Sequence, residues 1–187
     1  MIAQLPRPRR LAKRHRVDDF DSGELEIDRY LIVHARPHAK AGFSTTWVIP
    51  DPVDHSVWGF ISLSATSQPV LVEGRDSKKR VLANVAVLDT CPYPEVPALE
   101  IGFLGTRRDK QGQGIAKCLL KFALLRALKV SREVGIAAIV LDALTDPLLR
   151  FYSKFHFERL PYPASERRRM LLTMADVRIA AELAGLQ

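Results

Sequence analysis

Cysteine and long apolar runs are scarce in this sequence. Only Cys91 and Cys118 occur among its 187 residues, without CxxC spacing, so a disulfide framework and a cysteine-rich zinc site are excluded. No apolar run reaches the roughly 18 residues of a membrane-spanning helix, and the N-terminus has no apolar segment of the secretory kind. We therefore expect a cytoplasmic protein with no membrane span. We also expect no metal site, because the 5 histidines show no ligand spacing.

Acidic residues are fewer than basic ones. The 28 lysines and arginines exceed the 21 aspartates and glutamates, which gives a formal net charge of +7. The basic residues cluster at 7–16, 78–80, 107–110 and 167–169. This balance favours a polyanionic partner, because each neutralised phosphate releases condensed counterions. A basic surface that only meets water explains the same charge, so charge alone does not decide the function.

Length and composition favour one domain after a short arm. With 47% hydrophobic and 26% charged residues, the chain has enough apolar side chains for a single core. Residues 1–16 are rich in proline and arginine and are expected to form a flexible basic arm, which leaves 17–187 as the domain. An amphipathic helix is expected from about Glu24 to His34, with Ser22 as its N-cap.

The rest of the first half is less regular. Residues 37–43 fit either a loop or a short second helix, and β-branched and aromatic residues predict strands at 45–49 and 57–65. The charged stretch at 73–80 is expected to be an exposed loop. Prolines at 92, 94 and 97 argue against regular structure around them.

The second half alternates strands and helices. Residues 98–106 predict a strand, and after a basic turn apolar residues recur at three- and four-residue steps from Gly114 to Val130, which is typical of an amphipathic helix. The apolar run 136–141 predicts a strand covered on both faces. Three further elements are expected, a helix at 146–155, a strand at 168–174 and a helix at 176–183.

The turn before the long helix has the composition of an anion site. A helix N-terminus offers unpaired backbone N–H groups and the positive end of a dipole. Gly112 and Gly114 lack the Cβ atoms that would keep phosphate oxygens away from those donors. The nucleotide pattern GxxxxGK[ST] is absent, and Lys117 stands where GxGxxG asks for its third glycine. A Gly-x-Gly alone also fits an ordinary flexible turn.

In this context the sequence resembles the GNAT (GCN5-related) N-acetyltransferases. Residues 111–116, Gln-Gly-Gln-Gly-Ile-Ala, match the [QR]-x-x-G-x-[GA] motif of that family, with a strand before and a helix after. The block 141–158, with Phe151-Tyr152, is similar to the second signature of the family, although His156 replaces its usual glycine. The resemblance implies an α/β fold, in which helices flank a central mixed, mostly antiparallel twisted sheet.

The resemblance also implies acetyl-CoA as the co-substrate. The strand end at 104–106 would pair with the pantetheine arm, the backbone amides of 111–116 would bind the pyrophosphate, and Arg107, Arg108 or Lys110 could reach the 3′-phosphate. Each of these basic side chains also fits a solvated loop. The cofactor-binding residues implied in this way are Leu104, Gly105, Thr106, Arg107, Arg108, Gln111, Gly112, Gln113, Gly114, Ile115, Ala116 and Lys117.

Two side chains are candidates for the chemistry. Tyr152 matches the tyrosine that serves as general acid in many family members, since a phenol is protonated at neutral pH and can donate to a developing thiolate. A core aromatic beside Phe151 and Phe155 is the other interpretation. Glu100 could act as a general base through a water, or form a plain ion pair. No base is required for an α-amine, which titrates near ~7.7–8.0, whereas a lysine amine titrates near ~10.4.

A further resemblance concerns the acceptor. Residues 20–31 resemble the F-x-S-G-x-x-x-[LI]-D-x-[WY]-L pattern of GNAT toxins from toxin–antitoxin pairs, and 58–64 and 143–145 resemble two of their later blocks. Phe103 stands where those toxins usually carry arginine. The resemblance implies acetylation of the α-amine on charged tRNA, a ribbon-helix-helix antitoxin as partner, and a homodimer.

Three functions therefore remain open. The first is an aminoacyl-tRNA N-acetyltransferase that blocks translation. The second is an N-acetyltransferase of the same fold that acts on a small molecule or a protein. The third is a non-catalytic module that binds acyl-CoA or nucleic acid. Fold and cofactor do not choose among them, because one fold hosts many acceptors.

Overall fold

Strands and helices follow one another along the whole described chain. The computed structural model describes residues 5–69, 71–73, 79–81, 94–161 and 168–183. The strands are β1 (Arg9–Arg10), β2 (Thr45–Pro50), β3 (Val57–Pro69), β4 (Leu71–Glu73), β5 (Lys79–Val81), β6 (Glu95–Thr106), β7 (Ala138–Asp142), β8 (Glu158–Arg159) and β9 (Arg169–Thr173). The helices are α1 (Leu25–Arg29), a π-helix (Tyr30–His34), α2 (Ala35–Ala41), a 3-10 helix (Arg108–Lys110), α3 (Ile115–Val130), α4 (Asp146–Ser153) and α5 (Met174–Leu183).

One open mixed sheet organises the strands. Its order is β1-β2-β3-β6-β7-β9-β8, while β4 and β5 form a separate two-stranded sheet. Antiparallel pairing joins β1 to β2, β2 to β3, β7 to β9 and β8 to β9. The α/β class with helices around a mixed sheet, expected from the sequence, is confirmed.

Contacts group the chain into two compact units. The first holds residues 1–64 and 101–126, and the second holds 65–100 and 127–187. Strands β3 and β6 contribute residues to both units. Each unit buries its own set of apolar side chains.

The first helical segment of the first unit is longer than predicted. It begins at Leu25 and continues through the π-helix and α2 to Ala41, so the second helix that was one of two expectations for 37–43 is present. Ser22 is not the N-cap, because its hydroxyl donates to the carboxylate of Asp28 at 2.6 Å. The N-cap is Glu24, which makes no side-chain capping bond.

Tyr30 joins the helical segment to the sheet inside the first unit. Its ring stacks on Phe103 with the centroids 3.8 Å apart and on Phe60 with the centroids 6.1 Å apart. Its hydroxyl lies within hydrogen-bond distance of Ser44 at 2.8 Å and Ser62 at 2.7 Å. Stacked rings and a satisfied buried hydroxyl fix the helix against strands β3 and β6.

The N-terminal residues differ from the flexible arm that was expected. Arg9 and Arg10 pair with β2, and the N–H of Leu11 donates to the carbonyl of Thr46 at 2.9 Å. Further along, Arg16 forms a β-bridge with Ser56. Backbone pairing at both ends therefore holds residues 9–16 on the sheet edge, where the basic side chains do not prevent main-chain hydrogen bonds.

Strands β7 and β9 form the buried centre of the second unit. Residues 138–141 and 169–173 are buried, which confirms the apolar run as a covered strand. Arg169 was counted in the surface charge cluster 167–169, but it is only 4% exposed. The antiparallel register places it opposite Asp142, whose carboxylate offsets the buried charge.

Other parts of the second unit also differ from expectation. Paired strands lie at 71–73 and 79–81, partly within the stretch expected to be loop, and the intervening residues lie outside the described ones. Pro97 lies inside β6, where its carbonyl accepts the N–H of Ala137 at 2.8 Å. Proline cannot donate to a ladder but can accept, so the strand tolerates it. Pro94 directly precedes β6, and Pro92 lies outside the described residues.

Two kinds of feature are absent from the described ranges of the chain. No helix in them is both long and apolar enough to cross a bilayer. No group of three or more His, Cys, Asp or Glu side chains in these ranges is placed to hold a metal ion.

A glycine pair on β6 tests the packing of the first unit. A Cβ at Gly105 would lie 2.6 Å from Ile27 Cγ2 and 2.7 Å from the buried ring of Phe60, whereas a Cβ at Gly102 would meet nothing within 4 Å. We expect Gly105→Ala to lower the free energy of unfolding by about 1–3 kcal/mol through overpacking. Gly102→Ala, the matched control, should change it by less than about 0.5 kcal/mol. Denaturant unfolding measures both, and equal values would contradict the packing described.

Candidate functional site

The turn before α3 has the backbone expected of an anion site. Gly112 and Gly114 have φ values of +75° and +82°, in the left-handed region that favours glycine. A Cβ at either position would meet nothing within 4 Å, so backbone conformation, not crowding, calls for glycine. Residues 111–114 are exposed, and α3 follows from Ile115. The first-turn N–H groups of α3 have no partner within the helix and are open to an anion.

Side-chain amides hold this turn in place. Gln111 Nε2 donates to the carbonyl of Ser22 at 2.9 Å and to that of Thr106 at 3.3 Å. Gln113 Nε2 donates to the carbonyl of Asp109 at 3.2 Å. The glutamine that begins the motif thus positions the turn through its side chain, while its own backbone N–H donates to the carbonyl of Arg108 at 3.3 Å.

The three basic side chains that could reach the 3′-phosphate differ in how strongly neighbouring residues already bind them. The guanidinium of Arg107 is bound by Asp109 at 2.7 and 3.0 Å, which raises the pKa of Arg107, and by Ser56 at 3.2 Å. Arg108 is 66% exposed and makes one loose ion pair with Asp21 at 3.3 Å. Lys110 Nζ lies 4.8 Å from the centre of the Trp58 ring. Arg108 is therefore the most accessible cation of the three.

The end of β6 also fits the implied co-substrate. Leu104 and Thr106 are half-buried there. Gly105 is buried, and a Cβ at this position would collide with Ile27 and Phe60. Thr106 Oγ1 is buried without a hydrogen-bond partner in the described parts of the chain. An orphaned hydroxyl at a strand end, next to an exposed turn with free amides, suits a ligand with amide and phosphate groups. The residues present fit acetyl-CoA in this respect.

Tyr152 lies in α4 of the second unit and is 5% exposed. Its ring meets Phe151 at 5.2 Å and Phe157 at 5.9 Å, edge to face. Burial raises the pKa of the phenol well above its usual value near ~10. The hydroxyl therefore stays protonated throughout the physiological pH range, as a general acid requires.

His156, which stands where the resemblance implies a glycine, adopts a left-handed backbone conformation. His156 has a φ of +63°, in the left-handed region. Its N–H donates to the carbonyl of Ser153 at 3.1 Å, and the N–H of Phe157 donates to that of Tyr152 at 3.4 Å. These two bonds, with the ring contact of Phe157 and Tyr152, form a Schellman motif that ends α4. Histidine adopts this conformation more readily than most L-residues.

Glu100 lies in an ion-pair network within the second unit. Its Oε1 is 2.7 Å from Arg169 Nη1, which also lies 3.0 Å from Asp142 Oδ2, while Arg169 Nε donates to Gln68 Oε1 at 3.0 Å. The ion-pair role, one of two expected for Glu100, is the one the contacts show. Its role as a base stays a prediction. Arg169 was missed as a site residue, because its partners come from distant parts of the sequence.

Known proteins resemble the chain in both sequence and fold. No family model matches. A tRNA-acetylating toxin of Mycobacterium tuberculosis is 32% identical over 171 residues, which cover 91% of this chain and 93% of the relative.

Two solved structures of the toxin AtaT share the fold. AtaT complexed with acetyl-methionyl-tRNAfMet has a TM-score of 0.77 and 18% identity, and covers 92% of this chain and 97% of that one. A mutant AtaT bound to the C-terminus of the antitoxin AtaR and acetyl-CoA has a TM-score of 0.71 and 16% identity, and covers 92% and 96%.

Removing Arg169 tests the network. We expect Arg169→Met to lower the free energy of unfolding by roughly 2–4 kcal/mol, because Glu100 and Asp142 lose their shared cation; their partial exposure keeps the loss below that of a fully buried pair. Arg168→Met is the control, since its ion pair with Asp146 is exposed and should contribute less than about 1 kcal/mol. Denaturant unfolding at neutral pH measures both. Equal losses would show that the network does not stabilise the unit.

Proposed function

Since the chain belongs to the family of tRNA-acetylating toxins among the GNAT N-acetyltransferases, we propose that it transfers acetyl from acetyl-CoA to the α-amine of an aminoacyl-tRNA. The product cannot serve as an acceptor in protein synthesis through that amine, so translation stops. The observation that carries the proposal is the 32% identity to a tRNA-acetylating toxin across 91% of the chain. The left-handed glycine turn at the start of α3 supports it independently.

In this reaction the backbone of the turn before α3 would bind acetyl-CoA, and Tyr152 would donate a proton to the leaving sulfur. The first-turn amides of α3 and the turn at 111–114 would hold the pyrophosphate, and the end of β6 would pair with the pantetheine arm. Acetyl-CoA supplies an activated acetyl thioester. As the amine nitrogen bonds to the carbonyl carbon and the C–S bond breaks, the phenol of Tyr152 gives its proton to the leaving sulfur. The proton lost by the amine goes to water, and water returns a proton to the Tyr152 phenolate.

The α-amine acceptor fits the side chains that are present. Glu100 is ion-paired to Arg169, so it is poorly suited to abstract a proton. An α-amine near its pKa of ~7.7–8.0 is substantially neutral at physiological pH and needs no strong base. The net charge of +7 favours a polyanionic acceptor such as tRNA.

The same family membership suggests the partners and the compartment. We propose a ribbon-helix-helix antitoxin as the neutralising partner and a homodimer as the active form. The structure of AtaT with the C-terminus of its antitoxin supports an antitoxin. Charged tRNA is a cytoplasmic substrate, and the proposed reaction therefore places the protein in the cytoplasm.

Tyr152→Phe tests the chemistry. With radiolabelled acetyl-CoA and charged tRNA, we expect the wild type to place label in the RNA fraction, and the variant to do so roughly 10–10⁴-fold more slowly. The affinity for acetyl-CoA should persist, because the ring is retained. Unchanged turnover would remove Tyr152 from the mechanism. Label found only in a small amine or in protein would contradict the tRNA acceptor. It would favour the second function considered above, an N-acetyltransferase that acts on a small molecule or a protein.

Gly114→Glu tests the pyrophosphate turn. The substitution puts bulk and negative charge beside the phosphates, at a position whose φ of +82° already disfavours a side chain. We expect calorimetry to detect no binding of CoA. Gly135→Glu, which adds the same charge beyond the other end of α3 in open space, should bind CoA as the wild type does. Retained affinity in Gly114→Glu would refute the assignment of the turn.

A further inference from the structure

The N-terminal segment and the β2–β3 connection enclose a cavity in the first unit. The segment is anchored at β1, which pairs with β2, and at Arg16, whose N–H donates to the carbonyl of His55 at 3.0 Å. Between these anchors lies a cavity of about 150 Å³. No residue of the acetyl-CoA turn or of β6 lines it.

The backbone fixes the shape of this cavity. Three prolines, Pro6, Pro50 and Pro52, form part of its wall, and each has a locked φ. His55, which also lines the cavity, has a φ of +61°, and its N–H donates to the carbonyl of Asp51 at 3.2 Å. The backbone of the wall therefore needs little change in conformation when a ligand binds.

The charged lining favours an anion. Arg9 and Arg14 line the cavity, and neither guanidinium forms an ion pair in the described parts of the chain. Asp51 is the one carboxylate in the lining, and its Oδ1 already accepts the N–H groups of Val53 at 2.7 Å and Asp54 at 3.3 Å. The lining therefore carries two cations against one carboxylate, and one oxygen of that carboxylate is already bound within the turn.

His15 adds a donor without a partner. It is 2% exposed, and its Nδ1 accepts the N–H of Ala12 at 3.0 Å. Burial, and next the charge of Arg14, lower the pKa of His15, so the ring is neutral and its proton lies on Nε2. Nε2 is buried and has no hydrogen-bond partner within the described ranges. A buried donor without a partner is unfavourable, and a ligand atom that accepts its hydrogen bond would remove that penalty.

We propose that this cavity binds a phosphate group. Arg9 and Arg14 neutralise its charge, and the Nε2–H of His15 donates to one of its oxygens. Phosphate presents several acceptor oxygens around one centre, which suits donors that converge from different sides. An apolar ligand would leave the His15 donor unmatched. The group comes either from an RNA backbone or from a free phosphate or nucleotide.

A phosphate titration of the full chain tests the site. Inorganic phosphate is added at constant ionic strength, while the imidazole signals of His15 and His55 are followed by NMR. We expect a saturable change with the same dissociation constant when CoA is present in excess. A drift that never saturates overturns the proposal. Competition by CoA also overturns it, because the phosphate would then occupy the turn before α3.

Matched substitutions separate a site from general screening. Arg14→Gln should weaken phosphate binding about tenfold or more, through loss of a charge-assisted hydrogen bond. Lys13→Gln removes the same charge from an exposed neighbour outside the lining and should change it less than about twofold. Equal effects would overturn the proposal.

Two substitutions of His15 test its donor. His15→Asn keeps an acceptor for Ala12 but removes the donor at the Nε2 position, whereas His15→Gln can place an amide N–H there. We expect the asparagine variant to bind phosphate more weakly than the glutamine variant. The reverse order would remove His15 from the site. If neither variant folds, Arg14→Gln and Lys13→Gln still decide.

Deacylated tRNA identifies the source of the phosphate. If the RNA backbone supplies it, Arg14→Gln weakens tRNA binding more than Lys13→Gln does, and inorganic phosphate competes with tRNA. If both variants bind tRNA equally while only Arg14→Gln loses phosphate, the occupant is a free phosphate or nucleotide. No loss in either assay contradicts the site.

Discussion

The left-handed backbone at Gly112 and Gly114 is the constraint on which the candidate site depends. It turns the chain after β6 so that α3 starts with its first-turn N–H groups unmatched and facing an exposed turn. Gln111 holds the turn by donating to the carbonyl of Ser22. Because the donors are main chain, the nearby basic side chains can serve elsewhere, as Arg107 does in its pair with Asp109.

Elements with a clear apolar pattern in the sequence were predicted to within a few residues, whereas a helix cap and a proline inside a strand were not. The long helix α3 and the strand β7 were found from their apolar periodicity and apolar run. The start of α1 was predicted to within one residue, but its N-cap was not, since Glu24 and not Ser22 takes that position. The strand character around Pro97 was missed because the proline carbonyl, not its absent N–H, takes part in pairing. These features depend on hydrogen-bond partners that lie outside the local sequence pattern.

The parts of the candidate site also differ in whether a local sequence pattern reveals them. The glycine turn is contiguous, so residues 111–116 could be recognised as a unit, and the backbone angles agree with that interpretation. The network of Arg169 could not be recognised, since Gln68, Glu100 and Asp142 join it from three distant stretches. The N-terminal residues were expected to be loose because of their charge, but pairing of Arg9 and Arg10 with β2 satisfies their backbone. The catalytic roles of Tyr152 and Glu100 remain predictions.

The way α4 ends has a consequence for the tyrosine that it carries. Tyr152 supplies both the carbonyl that accepts the closing N–H of Phe157 and the ring against which Phe157 packs. The orientation of the phenol is thus set by how a helix stops rather than by a polar network around the hydroxyl. A change in the size of the Phe157 side chain would therefore shift the Tyr152 ring although Tyr152 itself is unchanged. A change that disrupted this helix terminus would therefore also displace the Tyr152 hydroxyl.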